Sequence, residues 1–163
     1  LRLVHGGADR NLTILNVIES IEKEFGASEE HIIVTHDAVR PFLTMRIIDE
    51  NIDAALKYGA CDTAVAATDT IVESEDGGFI KSIPDRRRMY QGQTPQSFKM
   101  ELLKRLYNSL SQEEKKLLTD ACKICVFRSQ PVYIVQGDVS NIKITTVSDY
   151  KIAQAMLGGI KLD

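Results

Sequence analysis

The sequence predicts an α/β fold with a Rossmann-like, mostly parallel sheet flanked by helices. Three observations predict it. Short apolar runs alternate with segments of helical periodicity, one hairpin interrupts the alternation, and a polar loop directly follows an apolar strand-like run. The chain of 163 residues is long enough for a single domain with a sizeable core.

The first part of the chain predicts a helix, a strand and a second helix. Apolar residues recur at helical spacing before a glycine stop at Gly26, at positions Ile14, Ile18, Ile21 and Phe25. Residues 31–35 form a short apolar run typical of a buried strand. A second helix, about 44–58, has Thr44 as its cap and Gly59 at its end. Its apolar face consists of Ile47, Ile48, Ile52, Ala55 and Leu56.

The middle of the chain predicts a strand of small residues followed by a β-arm. The strand covers residues 63–68, and residues 70–83 have the pattern of a hairpin around an Asp76-Gly77 turn. The apolar positions of the hairpin are Ile71, Val72, Phe79, Ile80 and Ile83. Because the hairpin interrupts the alternation, we expect an arm, about residues 69–90, that projects from the main sheet.

The last part predicts three helices and one strand. A polar turn at 93–96 leads into a helix at about 97–110, whose buried side consists of Phe98, Leu102, Leu103 and Leu106. Ser111 and Glu114 are spaced as a capping box for the next helix. A short strand at 132–135 follows, then an apolar strand-like segment at 142–144 and a final helix at about 147–157, which Thr146 and Asp149 introduce.

The composition argues against nucleic-acid binding, a membrane span and a disulfide-rich protein. The net charge of -3 offers no basis for wholesale nucleic-acid binding, and no apolar stretch has the length of a membrane span. Three cysteines, a low and odd number, favour a reducing, cytoplasmic setting. Cys122 and Cys125 have the spacing of a redox or zinc half-site, but no second Cys or His pair completes it, so we expect packed thiols.

Residues 36–42 carry the strongest sign of a binding site. Asp37 and Arg40 follow the predicted strand at 31–35, at the sheet edge where open α/β sheets bind ligands. An acid that can hold a cation, three residues before a base that can hold an anion, suits a metal–phosphate substrate. The alternative is a surface ion pair at the end of a strand.

Two further candidates are groups that could hold an anion. Gly6-Gly7, with Arg10 and Thr13, lies just before the first helix, where backbone amides favour anions, although an ordinary turn is the commoner explanation. Lys143 lies between two isoleucines, where a lysine either snorkels to solvent or serves a phosphate.

Three more candidates lie in or beside the predicted arm. Thr70 ends a strand, and Arg86 belongs to an arginine run that is either a solvated surface or a forked grip on phosphate. Thr94 lies in the polar turn at 93–96, and its hydroxyl could line a site, although the turn itself explains the residue types.

Taken in order, these segments resemble the cytidylyltransferase family that includes the methylerythritol-phosphate and ribitol-phosphate enzymes. The matching segments are 6–13, 36–41, 69–70, 90–98, 119–121 and 141–145, and the resemblance covers nearly the whole chain. Within the family, residues 90–93 and 119–123 resemble the ribitol-phosphate branch. The methylerythritol branch typically has Ala at the position of Val39 and tends to carry an acid at that of Ala121.

The resemblance implies a fold of the nucleotide-diphospho-sugar transferase type and a role for each matching residue. Asp37 would hold a Mg²⁺ ion that bridges the phosphates, and Arg40 would buttress its loop. Gly7, Thr13 and Ala38 would lie beside the nucleotide, and Lys143 would contact the α-phosphate.

The acceptor phosphate would be gripped by Thr70, Arg86 and Thr94. In this family the arm crosses to a second subunit, so Thr70 and Arg86 would complete the neighbour's site and a homodimer would be the functional unit. A reductase partner is a further association that the resemblance leaves open.

The resemblance also implies the reaction. Ribitol 5-phosphate would attack CTP to give CDP-ribitol, a teichoic-acid precursor, and pyrophosphate. Methylerythritol 4-phosphate as the acceptor, with a role in isoprenoid synthesis, is the alternative. A non-catalytic module that binds a sugar phosphate or a second subunit is an alternative of another class. An NAD-binding protein is disfavoured, because no G-x-G-x-x-G segment opens a helix after a strand.

The family's Gly-rich triphosphate loop, with its Arg and Lys, is not among residues 1–163. We therefore expect residues 1–163 to be an N-terminally incomplete cytidylyltransferase domain.

Overall fold

The computed structural model describes residues 1–158 and contains one four-stranded sheet with helices around it. The strands are β1 (Ile32–Thr35), β2 (Ala60–Ala66), β3 (Tyr90–Lys99) and β4 (Tyr133–Gln136). The helices are α1 (Arg10–Phe25), α2 (Met45–Tyr58), α3 (Met100–Asn108), α4 (Gln112–Lys116), α5 (Cys122–Phe127) and α6 (Val147–Gly158). The predicted α/β class is confirmed.

The sheet has the strand order β1-β3-β2-β4. β3 is antiparallel to both of its neighbours, whereas β2 and β4 are parallel. β1, β2 and β4 therefore share one direction and β3 alone runs against it, which agrees with a mostly parallel sheet. Phe98 of β3 lies beside Ile33 of β1 and Ala60 of β2, and these side chains belong to the core that α1, α3 and α5 cover.

The predicted end of the first helix at Gly26 and both predicted boundaries of the second helix are confirmed. The Asp9 side chain caps α1 by accepting from the Leu12 amide, and Thr44 caps α2 by accepting from the Ile47 amide. α2 ends at Gly59, whose φ of 85° is a left-handed conformation that glycine adopts without steric cost. The predicted apolar face of α2 is wrong at Leu56, which is 48% exposed.

The predicted polar turn at 93–96 is wrong, because these residues form the middle of β3 and are buried. The helix expected from 97 begins only at Met100, so Phe98 belongs to the strand. Polar residues are tolerated inside this strand because each finds a partner. Gln93 donates to the Asp138 carbonyl over 2.8 Å, for example.

The predicted arm is present as a turn with little strand pairing. Its one β-bridge joins Glu73 to Ser82, and the Asp76 carboxylate closes the turn by accepting from the Gly78 and Phe79 amides. The side chains of the apolar residues Val72, Phe79, Ile80 and Ile83 are exposed. Within residues 1–158 the arm therefore presents a largely exposed apolar surface.

Towards the C-terminal end, both predicted capping boxes are present. Ser111 and Glu114 exchange side-chain-to-backbone bonds at the start of α4, and Thr146 and Asp149 do so at the start of α6. The segment at 142–144 is not a strand, and its one backbone bond to the rest of the fold runs from the Ile144 amide to the Val39 carbonyl. Helix α5 was not expected from the sequence. In the part of the chain that the structure describes, no helix has the length and apolarity to cross a membrane.

Candidate active site

The Asp37 carboxylate lies at the centre of a group of three cations. Lys143 Nζ is 3.0 Å from Oδ2, Arg40 Nε is 3.5 Å from the same oxygen, and Arg10 Nη2 is 3.8 Å from Oδ1. These cations come from the loop after β1, the start of α1 and the segment before α6. The structure thus brings together residues that are widely separated in the sequence.

The electrostatics of this cluster favour a bound anion. Partial burial acts to raise the pKa of Asp37, but the hydrogen bond and charge of Lys143, with the charges of Arg10 and Arg40, outweigh it and lower that pKa. Asp37 is therefore ionised at neutral pH. Three cations against one carboxylate leave a positive excess, which attracts a polyphosphate and holds its oxygens.

The loop that carries Asp37 is tied to β3 and to the segment at 141–144. The Asp37 amide donates to Thr94 Oγ1 over 3.1 Å, and Arg40 Nη1 donates to the Asn141 carbonyl over 2.7 Å. Asn141 is buried and its amide group donates to the Thr94 carbonyl over 2.8 Å. Lys143, two residues along, is thereby held beside the loop that it faces.

A shallow pocket of about 370 Å³ lies next to this cluster. Its lining includes Arg10, Thr13, Asp37 and Ala38. Gly7 lies at the same end of α1, and its amide donates to Thr13 Oγ1 over 2.9 Å. A Cβ atom at Gly7 would collide with Leu12, so the backbone can approach the helix only because the residue is glycine. Of the predicted nucleotide-side residues, Thr13, Asp37 and Ala38 thus line one concavity, and Gly7 is hydrogen-bonded to Thr13 beside it.

A larger cavity of about 510 Å³ lies elsewhere, between α2 and β4. Its most prominent feature is the stacked pair Tyr58 and Tyr133, whose ring centroids are 4.5 Å apart. None of the site residues expected from the sequence lines it. We therefore centre the candidate site on Asp37, where charged groups converge.

Behind Arg10 lies a buried polar group that the sequence did not predict. Gln96 is 1% exposed, accepts from Arg10 Nη1 over 3.0 Å, and donates to Asp62 over 3.1 Å and to Asp120 over 2.7 Å. Burial raises the pKa of Asp62 to about 6; the bond from Gln96 acts against this rise, and the neighbouring Asp120 adds to it. The missed signal is an acid within a strand of mostly small apolar residues.

Thr70 and Arg86 are not part of this cluster. Arg86 Nη1 donates to the Thr68 carbonyl over 2.8 Å, which folds the arginine back onto the start of the arm. Within residues 1–158, no hydrogen bond or ion pair joins either residue to Asp37 or Lys143. Thr70 and Arg86 therefore lie outside the Asp37 cluster of their own chain.

The three cysteines are free and buried, as expected for packed thiols. Burial raises the pKa of Cys61 to about 11 and that of Cys125 to about 12, and it also raises the pKa of Cys122. These thiols are therefore protonated at neutral pH and have little nucleophilic or metal-binding character.

The residues around Asp37 fit a divalent cation only if the ion is bound together with a polyphosphate. Across residues 1–158 no group of three or more His, Cys, Asp or Glu side chains could hold a metal ion by itself. Asp37 offers a single carboxylate with positive neighbours. Mg²⁺ is commonly held by one or two carboxylates together with substrate phosphates and water. Asp37 therefore suits an ion that arrives with a polyphosphate, and does not suit a resident metal site.

Comparison with known proteins gives a consistent picture. Residues 1–159 match the family model IspD, 2-C-methyl-D-erythritol 4-phosphate cytidylyltransferase. The crystal structure of 4-diphosphocytidyl-2C-methyl-D-erythritol synthase from Anaerococcus prevotii is 32% identical with a TM-score of 0.80, covering 97% of this chain and 70% of that one. The Thermus thermophilus 2-C-methyl-D-erythritol 4-phosphate cytidylyltransferase is 25% identical with a TM-score of 0.77, over 96% and 72% of the two chains. The Francisella tularensis protein of that name, 22% identical over 92% and 69% with a TM-score of 0.81, supports the fold alone.

The fold is that of a nucleotidyltransferase enzyme. More particularly, the chain belongs to the IspD family of cytidylyltransferases, which use CTP and a sugar phosphate. This confirms the family expected from the sequence. It does not confirm the ribitol-phosphate branch, because the family model and these solved structures are of the methylerythritol type, which was the alternative.

Proposed function

We propose that this protein transfers the cytidylyl group of CTP to the phosphate of a small polyol phosphate, with Asp37, Arg40 and Lys143 at the reacting phosphates. The observation that carries the proposal is the position of Lys143 Nζ and Arg40 Nε around one oxygen of Asp37. Arg10 adds a third positive charge on the other oxygen. Such a cluster binds a triphosphate and an acceptor phosphate side by side.

The chemistry requires mainly charge neutralisation. An oxygen of the acceptor phosphate attacks the α-phosphorus of CTP, the bond to the β-phosphate oxygen breaks, and pyrophosphate leaves with the bonding electron pair. No proton has to be removed from the nucleophile, so this reaction does not require a general base. The barrier comes from bringing two polyanions together, and fixed cations lower it when they are already in place.

Each residue of the cluster then has a separate task. Lys143 contacts the α-phosphate, where negative charge increases during transfer, and Arg40 keeps the loop closed through its bond to the Asn141 carbonyl. Asp37 would provide a carboxylate ligand for Mg²⁺, and the ion would supply positive charge to neutralise the phosphates. Thr13 and Ala38 line the adjacent concavity, which we assign to the nucleoside, and the Gly7 amide is hydrogen-bonded to Thr13.

Methylerythritol 4-phosphate is the acceptor that the family match favours. Ribitol 5-phosphate is a second candidate, supported by two residues. Val39 stands where the methylerythritol branch typically has Ala. Ala121, where that branch tends to have an acid, is fully buried next to Asp120. Ala121 also belongs to the apolar core, where an ionised acid would be costly to bury.

We also propose that the arm completes the site of a second copy. Thr70 and Arg86 lie at the two ends of the arm, and neither contacts the Asp37 cluster of its own chain. The exposed apolar side chains of the arm, Phe79 among them at 82% exposure, are the kind of surface that a partner subunit covers. Arg86 would then bring a forked cation to the acceptor phosphate of the neighbouring site.

The test is a substrate comparison. It uses the protein at its full natural length. The protein is incubated with CTP, Mg²⁺ and either methylerythritol 4-phosphate or ribitol 5-phosphate, and both pyrophosphate and the CDP-linked product are measured. Product from methylerythritol 4-phosphate is expected. A preference for ribitol 5-phosphate would select the second candidate, and no product from either would overturn the enzyme proposal in favour of a binding module.

A further inference from the structure

His36 is bonded at both ring nitrogens, although its side chain is exposed. Nδ1 lies 2.9 Å from Thr94 Oγ1, and Nε2 lies 2.9 Å from the Arg40 carbonyl oxygen. Thr94 Oγ1 has a second partner, the Asp37 amide, at 3.1 Å. The imidazole therefore bridges the end of the loop at Arg40 to the strand residue that holds Asp37.

Donor and acceptor roles in this group follow from the carbonyl. The Arg40 carbonyl can only accept, so Nε2 of His36 must carry a hydrogen. In the neutral imidazole Nδ1 is then an acceptor, and the Thr94 hydroxyl donates its one hydrogen to it. The Asp37 amide can only donate, and it uses a lone pair of the same hydroxyl. The bonds form one directed chain, from Asp37 through Thr94 to His36 and on to Arg40.

This chain has a consequence for Thr94. Its single hydroxyl hydrogen is committed to His36, so it has none left to donate to a phosphate. Its remaining effect is to hold the Asp37 amide, and hence the carboxylate that three cations surround. Arg40 is held at both ends, because His36 binds its carbonyl and Asn141 accepts from its guanidinium.

We propose that His36 is a positioning residue for cytidylyl transfer. It acts through the Thr94 hydroxyl to hold Asp37, and through the Arg40 carbonyl to close the loop at 36–40. The inference rests on the proposed function for its kinetic effect, but the hydrogen-bond direction holds whatever the reaction. Thr94 is accordingly a positioning residue as well, whereas the resemblance implied that it grips the acceptor phosphate.

The hydrogen-bond direction can be tested without substrate. In ¹⁵N-histidine-labelled protein, at a pH where the ring is neutral, two-bond ¹H–¹⁵N correlations distinguish the two tautomers, and His36→Asn identifies the signal. The Nε2–H form is expected. An Nδ1–H form would overturn the inference. Because this measurement needs no turnover, it decides the point even if cytidylyl transfer is not observed.

Kinetics test the positioning roles. Residues that orient a ligand group typically contribute about 10–100-fold to activity, so Thr94→Val should lower kcat by about that factor while the KM for the acceptor is unchanged. Thr94→Ser, which keeps the hydroxyl, should restore most of the turnover. A raised acceptor KM with normal kcat in Thr94→Val would overturn the inference, because it would identify a direct phosphate contact.

Two replacements of His36 separate its bonds. In His36→Asn the side-chain oxygen can take the place of Nδ1 and accept from Thr94. In His36→Gln the amide nitrogen can take the place of Nε2 and donate to Arg40. We expect His36→Asn to keep more activity than His36→Gln, since the bond to Thr94 is the one that reaches Asp37. His31→Asn, at the opposite end of β1, is the matched control and should leave kcat unchanged. Equal kcat for His36→Gln and the unaltered protein would contradict the positioning role.

Discussion

Lys143 Nζ lies 3.0 Å from Oδ2 of Asp37 and is the nearest of the three cations to that carboxylate. Half of the lysine side chain remains exposed, at 47%, whereas Asp37 is mostly covered at 19%. Solvent therefore reaches this ion pair mainly at the lysine side chain. A phosphate entering from solvent would meet the ammonium first and would compete with Asp37 for it.

Asp37→Asn should reduce turnover by at least about 100-fold, because a neutral amide is a poor ligand for Mg²⁺ and removes the charge that orients the cations. The affinity of this variant for CTP in the absence of Mg²⁺ should not fall, because the Asp37 carboxylate no longer competes with the CTP phosphates for the three cations. Steady-state kinetics and calorimetric titration with CTP check the two effects. Asp49→Asn, an exposed change on α2, is the control. Near-normal turnover of Asp37→Asn at saturating Mg²⁺ would refute the metal role.

Lys143→Ala should lower kcat by about 10–100-fold, since a fixed cation at the transferring phosphate acts mainly on the transition state. Lys143→Arg keeps the charge but changes its shape and reach, so a partial recovery is expected. Both variants are measured at saturating CTP and acceptor, with Lys151→Ala on the exposed face of α6 as the control. An unchanged kcat with a higher KM for CTP alone would show that the lysine contributes ground-state binding only.

Asp62→Asn should stabilise the folded protein above about pH 6. The pKa of Asp62 is raised from 3.8 to about 6, so its contribution to stability is fully present below its unfolded pKa and is lost as pH rises through about 6. An asparagine can still accept from Gln96 and carries no charge to bury. The free energy of unfolding in urea should rise by about 1–3 kcal/mol at pH 8, and by little at pH 4. An equal change at both pH values would show that ionisation of Asp62 is not the cause.

Asn51→Ala should destabilise the fold by about 2–4 kcal/mol, because it leaves several buried groups without partners. Asn51 is fully buried; its amide nitrogen donates to the Ile47 carbonyl and to Thr63 Oγ1, and its Oδ1 accepts from Ser97 Oγ. The residue thus joins α2 to β2 and β3. Urea unfolding measures the loss. Asn108→Ala, at the exposed end of α3, should change stability by less than about 0.5 kcal/mol, and a similarly small change for Asn51→Ala would contradict its structural role.

Much of the local structure follows from short-range signals. The caps Thr44 and Ser111 and the glycine stop at Gly59 mark helix ends because their partners lie within a few residues. Residues 36–42 were identified as a binding loop because an apolar strand directly precedes them. The order of the motifs was sufficient to predict the cytidylyltransferase family, which the family match confirms.

The errors concern polar residues whose partners are distant in sequence. Residues 93–96 have the composition of a turn, but Gln96 is inside the sheet because Arg10, Asp62 and Asp120 satisfy its amide group. The apolar residues on either side of Lys143 predict a strand, but residues 142–144 do not form one. The Ile144 amide instead donates to the Val39 carbonyl in the loop after β1.

By itself, the sequence determined the α/β class, the helix ends marked by caps or glycine stops, the family and the candidate residues around Asp37. Only the tertiary structure decided which of these candidates meet, the bonding of His36 to Thr94, and the burial of Asp62 beside Asp120. The physical reason is that apolar periodicity and capping are local properties of the chain. The partner of a buried polar group, and hence its charge and hydrogen-bond direction, depends on segments that only folding brings into contact.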